Sequence, residues 1–285
     1  MNSPVATRWE KYLDLDYYTE GPGLDTEGNL YFTTLTGGYI MKVSKGNPPR
    51  QWAQSPCPNG QRILSDGSHL VCETAHHEIV QFNAYGQKIK TWVAGLCAGE
   101  KVYSPNDLTI DESQGFYFTD SIRHYGKVFF VGWDGREEVI ATDVDYPNGI
   151  ALDAQSEWLY IAESHSNSIL RVKLAGPGKG KGKPEVFTVL PFNPRPLDEN
   201  HLPLTANLPD GIAFDQQGRL WVAHYGMNAL QIIDGDGQWI GSAETGIPAT
   251  SNLCFSKDFN SIYVTGGMGE PGPGRVHIIY IESLS

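Results

Sequence analysis

The sequence predicts an all-β chain folded as a six-bladed β-propeller, each blade a four-stranded antiparallel sheet. Three observations carry this. One apolar strand motif recurs six times; its copies begin at Leu30, Leu70, Phe116, Leu159, Leu220 and Ile262, spaced by 40, 46, 43, 61 and 42 residues. Val, Ile, Tyr, Phe and Trp fill these runs while Gly and Asp separate them, the composition of pleated strands and tight turns. No long 3.6-residue apolar period competes. A period near 40 residues with four strands per unit defines a propeller blade.

The recurrent strands are "NLYFTT" (29–34), "HLVCET" (69–74), "FYFTD" (116–120), "WLYIAES" (158–164), "LWVAHY" (220–225) and "IYVTG" (262–266). A strand follows each: "YIMKV", "EIVQF", "KVFFV", "SILRV", "ALQII" and "RVHIIYI". Fourth strands are fainter, with "KTWVA", "EEVIA" and "EVFTV" as candidates. The ring needs closing, and "WEKYLDL" (9–15) can pair beside "RVHIIYI" in the last blade, which hides a sheet edge. The whole chain, 1–285, reads as one domain. The spacing of 61 holds "PFNPRPLDENHLPLTANL" (191–208), a long polar loop that runs into Pro209-Asp210; loops of this length are commonly functional. It is expected to be a lid on the active-site face.

Composition narrows the classes. The 285 residues are 40% hydrophobic with a formal net charge of −12, which disfavours a general nucleic-acid binder. "GKGKGK" (178–183) reads as a solvated loop. No apolar run approaches the length of about 18 residues that a membrane helix needs. The N-terminal segment does not read as a secretory signal, so a cytoplasmic location is expected. The four cysteines show no metal or disulfide spacing, and no histidine spacing of the HExxH kind occurs.

Before each first strand lies a near-repeated turn: "TEGPGLD", "CPNGQRIL", "SPNDLTID", "YPNGIALD", "LPDGIAFD" and "ATSNLCFS". In a propeller the first strand of each blade lines the central channel. The mouth residues Glu20, Asn59, Asn106, Asn148, Asp210 and Asn252 therefore converge although they are distant in sequence. All carry oxygen donors, which suit a hard cation such as Ca²⁺, and two carboxylates balance a divalent charge. Turn chemistry alone also favours Asn, Asp, Pro and Gly, but it does not ask for Glu20. The ends of the second strands (Thr33, Glu73, Asp120, Glu163, His224, Tyr225) return to the same mouths, mostly as anchors for the turns. Ser104 and Ser251 lack a GxSxG setting, so a serine nucleophile is not expected.

"EGPGLDTEGNLYFT", "SPNDLTID…GFYFTD", "PNGIALD…EWLYIAES" and "PDGIAFDQQGRLWVAHYG" together resemble the family that includes gluconolactonase, regucalcin (senescence marker protein) and luciferin-regenerating enzyme. The resemblance runs from about residue 20 to 267, in order. "NGQRILSDGSHLVCETAHHEIVQF" is most similar to its gluconolactonase-type branch. The resemblance implies one catalytic divalent ion, commonly Ca²⁺ with Mg²⁺, Mn²⁺ and Zn²⁺ as alternatives, and hydrolysis of a small-molecule lactone, often a sugar lactone. It implies Glu20, Asn148 and Asp210 as metal ligands, Asn106 as ligand or substrate contact, and Asp210 as general base or nucleophile. At the last blade Ser251-Asn252 replaces the commoner Thr-Asn. Arg62, Arg123, His224, Tyr225 and Asn252 are further candidates for substrate contact. Hydrolysis of other activated esters or organophosphates, or calcium binding without catalysis, are the alternative readings.

Overall fold

In the computed structural model, which describes residues 7–192 and 207–281, six four-stranded antiparallel sheets form the blades. The innermost strands are Thr19–Leu24, Pro58–Ile63, Pro105–Asp111, Pro147–Leu152, Leu208–Phe214 and Ala249–Phe255. In the first five blades the strands are added outward in chain order. In the sixth, Thr7–Leu15 lies outermost, paired antiparallel with Gly274–Ile281 from Thr7↔Ile281 to Leu15↔Gly274. The predicted ring closure is therefore present. Apart from the blades, the described residues contain one two-residue strand pair and a single 3₁₀ turn, Ser164–Ser166. None of the described helices is long and apolar enough to cross a membrane.

The inner strands bury side chains on both faces against the neighbouring blades, so the core is six apolar wedges. Phe116, Phe118 and Phe129 of the third blade pack on Leu70, Cys72 and Ile79 of the second. Trp221 and Leu230 of the fifth pack on Leu253, Val264 and Ile279 of the sixth. The sixth meets the first where Val276 packs with Leu30, Phe32 and Met41, with Leu13 and Leu15 of the closing strand against them.

The basic segment differs from expectation. Gly180–Val189 is the outer strand of the fourth blade, so most of "GKGKGK" is strand, with Lys173↔Lys181 and Leu174↔Gly180 in register. An edge strand needs only its backbone ladder on one side, and exposed lysines discourage further pairing there. The fourth strands of blades one and five, Arg50–Gln54 and Trp239–Glu244, were not legible for the same reason: they bury too little to show a pattern. Residues 193–206, which make up most of the expected lid, lie outside the described residues.

The opening of every innermost strand carries a register shift, between Glu20/Gly23, Pro58/Gln61, Pro105/Leu108, Pro147/Ile150, Pro209/Ile212 and Thr250/Asn252. A bulge re-aims one side chain out of the alternating pleat, and six-fold repetition re-aims the mouth residues together. At five of the six blade boundaries a hydroxyl donates to a mouth carbonyl of the next blade. These bonds are Thr33 to Asn59 O (2.8 Å), Thr74 to Pro105 O (2.9 Å), Thr119 to Asn148 O (2.8 Å), Ser164 to Pro209 O (2.7 Å) and Ser251 to Thr19 O (2.9 Å). The mouths are thus held to one another independently of any ligand.

Close approach at the hub explains the glycine after Asn148. A Cβ on Gly149 would stand 2.1 Å from the Asp210 carbonyl oxygen and 2.7 Å from Gly211 Cα, both backbone atoms that cannot swing aside. Gly149→Ala is expected to destabilise the chain by about 3 kcal/mol and lower its melting temperature by roughly 5–10 °C. A melt within 1 °C of wild type would show the blades to be free to separate there.

Candidate active site

Glu20, Asn106, Asn148 and Asp210 are all buried at the mouths of their blades. Asn252 donates from its amide to Glu20 Oε2 at 3.2 Å, and the Gly21 N–H donates to the same oxygen at 2.9 Å. The Asn148 amide hydrogen-bonds Asp210. The side-chain oxygen of Asn148, Oδ1, is buried with no hydrogen-bond partner.

Burial pushes Glu20 up to about 7, with the Asp107 charge adding to it and the Gly21 N–H and Asn252 amide opposing. Asp210 lies well above the usual carboxylate range, first through burial, then through the charges of Glu20, Asp107 and Glu270; the bond from Asn148 offsets part of this. Two acids raised by burial, with the Glu20 charge adding to the rise of Asp210, beside the unpartnered Asn148 Oδ1 form a site that is incomplete on its own. A hard cation would satisfy all three donors, since carboxylate and amide oxygens are its preferred ligands. No group of three or more His, Cys, Asp or Glu stands together among the described residues, so the donor set is mixed acid and amide. The residues present fit a divalent cation of the calcium type.

These shifts have a stability consequence. In the ion-free chain, Glu20 is raised from 4.5 to about 7, so the folded state holds a proton that the unfolded state releases. The contribution is complete below the unfolded value and is lost as pH rises through the folded one. Ion-free protein is therefore expected to melt on the order of 5 °C higher at pH 5 than at pH 8. Calcium is expected to narrow the gap; a melt that rises from pH 5 to pH 8 without ion would contradict it.

Above the acids lies a cavity of about 300 Å³ lined by Tyr146, Asn148, Ser164, His165, Leu208, Asp210, Tyr225 and Glu270. The Tyr146 and Tyr225 phenols are both pushed up to about 12, chiefly by burial and then by the surrounding acids. They stay protonated and can donate hydrogen bonds. The Ser164 hydroxyl is committed to Pro209 O. His165 is lowered by burial, which favours its neutral form.

The other sequence candidates are distributed as follows. Arg123 stands on the same face, exposed and held on Asp145 at 2.8 Å. His224 is buried below the mouth, its Nε2 2.9 Å from Asn167 Oδ1, and burial lowers it to about 4. Arg62 sits further along the innermost strands, paired with Asp107 at 3.2 Å, where it lines a separate cavity of about 240 Å³ with Leu253, Cys254 and Phe255. Asn252 is one position deeper than a mouth residue. Leu253 pairs with Val264 as Ile212 pairs with Val222, so Ser251 matches Asp210 and Asn252 matches Gly211. Of the second-strand ends, Glu73 accepts from Cys57 N (3.2 Å), Asp120 from Tyr103 N (3.0 Å) and Glu163 from Asp145 N (2.9 Å), as turn anchors should.

Sequence reasoning passed over Asp107, Tyr146 and Glu270. Asp107 was detectable: it stands in "PND" where four of the other five mouths place glycine. It is fully buried and receives the Leu108 N–H at 2.9 Å.

The chain is thus a six-bladed propeller with an acid-and-amide hub under a polar cavity. Within it, residues 18–267 match the family model described as SMP-30/Gluconolactonase/LRE-like region. The chain belongs to that family. It is 25% identical over 253 residues to lactonase drp35 of Staphylococcus haemolyticus, covering 85% of this chain and 74% of that protein. It is 28% identical over 230 residues to a gluconolactonase of Zymomonas mobilis, covering 74% of this chain and 61% of that one. A gluconolactonase structure from Xanthomonas campestris superposes with a TM-score of 0.81 at 22% identity, covering 97% of this chain and 90% of that chain.

Proposed function

We propose that this chain is a lactonase, a divalent-metal-dependent hydrolase that opens a lactone ring, with sugar (aldono) lactones as its preferred substrates. Membership of the family and the activities for which its relatives are named support the reaction class. The observation that supports the metal dependence is the presence of two buried acids, Glu20 and Asp210, with the unpartnered side-chain Oδ1 of Asn148.

Glu20, Asn148 and Asp210 would hold the ion, with Asn106 as a further ligand or a substrate contact. When bound, a divalent cation supplies Lewis-acid polarisation of the ester carbonyl and balances negative charge that develops there. Asp210 faces the cavity and takes the proton of the attacking water. Next to a cation its carboxylate is a weak base, which suits an activated ester such as a strained lactone better than an amide. Tyr146 and Tyr225 remain protonated and donate to substrate hydroxyls or to the ring oxygen. The amide of Asn148 orients Asp210, and the donors on Glu20 keep its carboxylate in place.

The test is a pH-indicator assay over aldonolactones, aliphatic lactones and phosphotriesters, using protein stripped of metal and reloaded with Ca²⁺, Mg²⁺, Mn²⁺ or Zn²⁺. Turnover of aldonolactones above the other classes is expected, and only after reloading. Faster phosphotriester turnover would move the assignment to that class. Absence of turnover with every ion would leave a binding protein.

A further inference from the structure

A second acid lines the cavity, from a part of the chain that carries no mouth motif. Glu270 lies in the loop between Ser261–Gly267 and Gly274–Ile281 of the sixth blade. That loop is pinned. The Pro271 carbonyl accepts the Tyr18 N–H at 2.9 Å, and Met268 N–H donates to Pro273 O at 3.0 Å. A Cβ on Gly274 would stand 1.9 Å from the Tyr17 carbonyl oxygen, which shows how tightly the returning chain is packed. Glu270 is exposed, yet it lines the same cavity as Asp210, Asn148, Tyr146 and Tyr225. No Lys or Arg pairs with it among the described residues. Its charge is felt by Asp210 and, after burial, is the largest influence on Tyr225.

Two ligand-binding acids are balanced by one divalent cation, so Glu270 is surplus charge at the cavity opening. A lactone is uncharged, whereas the hydroxy acid formed from it carries a carboxylate. Specificity is a difference of affinities, and a like charge facing a ligand lowers one of them. We propose that Glu270 is a specificity-determining residue whose carboxylate discriminates against anionic ligands, so that the cavity takes uncharged lactones, rejects lactones bearing a carboxylate or phosphate, and releases its own anionic product. The ligand class and the charge balance at the hub rest on the proposed function; the repulsion of an anion by Glu270 does not rest on lactone turnover.

The experiment measures D-gluconate binding by calorimetry to calcium-loaded protein at pH 8, at low salt and in 0.5 M NaCl. It compares wild type with Glu270→Gln and Glu270→Lys. Glu185→Gln, on the outer edge of the fourth blade, controls for net charge. At low salt gluconate is expected to bind about 5-fold more tightly to Glu270→Gln and about 20-fold more tightly to Glu270→Lys, with both gains shrinking at high salt. Glu185→Gln is expected to match wild type. Unchanged binding in both Glu270 variants, or an equal gain in Glu185→Gln, overturns the proposal. A parallel measurement takes the ratio of kcat/KM for gluconolactone over that for a lactone bearing a free carboxylate; it is expected to fall in Glu270→Gln. If no lactone turns over while the gluconate shift persists, the lactonase reading fails and the anion discrimination stands.

Discussion

Asp210→Ala is expected to lower kcat by about 10³-fold or more while the propeller stays folded. Asp210 is a donor to the proposed ion and the only acid of the hub pair that lines the cavity. Its removal would therefore take away the base and part of the ion site together. The stability effect has the opposite sign. The carboxylate is buried and held far above its usual range by burial and by Glu20, Asp107 and Glu270, so the ion-free chain is strained by carrying it. Asp210→Asn, which keeps the shape, is expected to raise the ion-free melting temperature at pH 8 even as it removes activity. Turnover within tenfold of wild type in Asp210→Ala, with metal-free controls clean, would remove this residue from the chemistry.

Chelation is expected to abolish turnover completely, and calcium to restore it. Binding should also release protons. Glu20, pushed up to about 7, is substantially protonated near neutral pH without ion, Asp210 is raised in the same direction, and the cation would take both as carboxylates. Calorimetry at pH 6.5 in buffers of different ionisation enthalpy is expected to show release of about one proton or more per ion. Calcium affinity should weaken about 10-fold or more for each pH unit lost below 7. Affinity that is flat between pH 6 and 8, with no proton release, would mean that the ion binds elsewhere.

The blades were legible because each repeats one pattern, and the repeat survives variation in any single copy. The spacings placed all six second strands, and the need to close the ring identified 9–15 as the partner of "RVHIIYI". The outer strands of blades one and five were not readable, because edge strands bury one face weakly and carry little alternation. At the mouths, residue type and shared context pointed to Glu20, Asn148 and Asp210 as converging residues, and all three are buried there. Asn252 was read one position out of step, since "ATSN" lacks the proline that marks four of the mouths. Arg62, Arg123 and His224 were chosen as polar groups near a mouth, but side-chain partners cannot be seen in a sequence. Asp107, Asp145 and Asn167 engage them. Glu270 was invisible because a connecting loop places it, not a strand.

The pairing of Thr7–Leu15 with Gly274–Ile281 joins segments separated by nearly the whole chain, and the bond between Glu20 and Asn252 spans 232 positions. Contacts of such separation are late and slow to form. During synthesis the earliest of these strands must wait, unpaired, until the last has left the ribosome. Maturation of the hub is thereby tied to emergence of the sixth blade, and a nascent chain halted before it would present an open sheet edge to chaperones and leave Glu20 without its Asn252 donor.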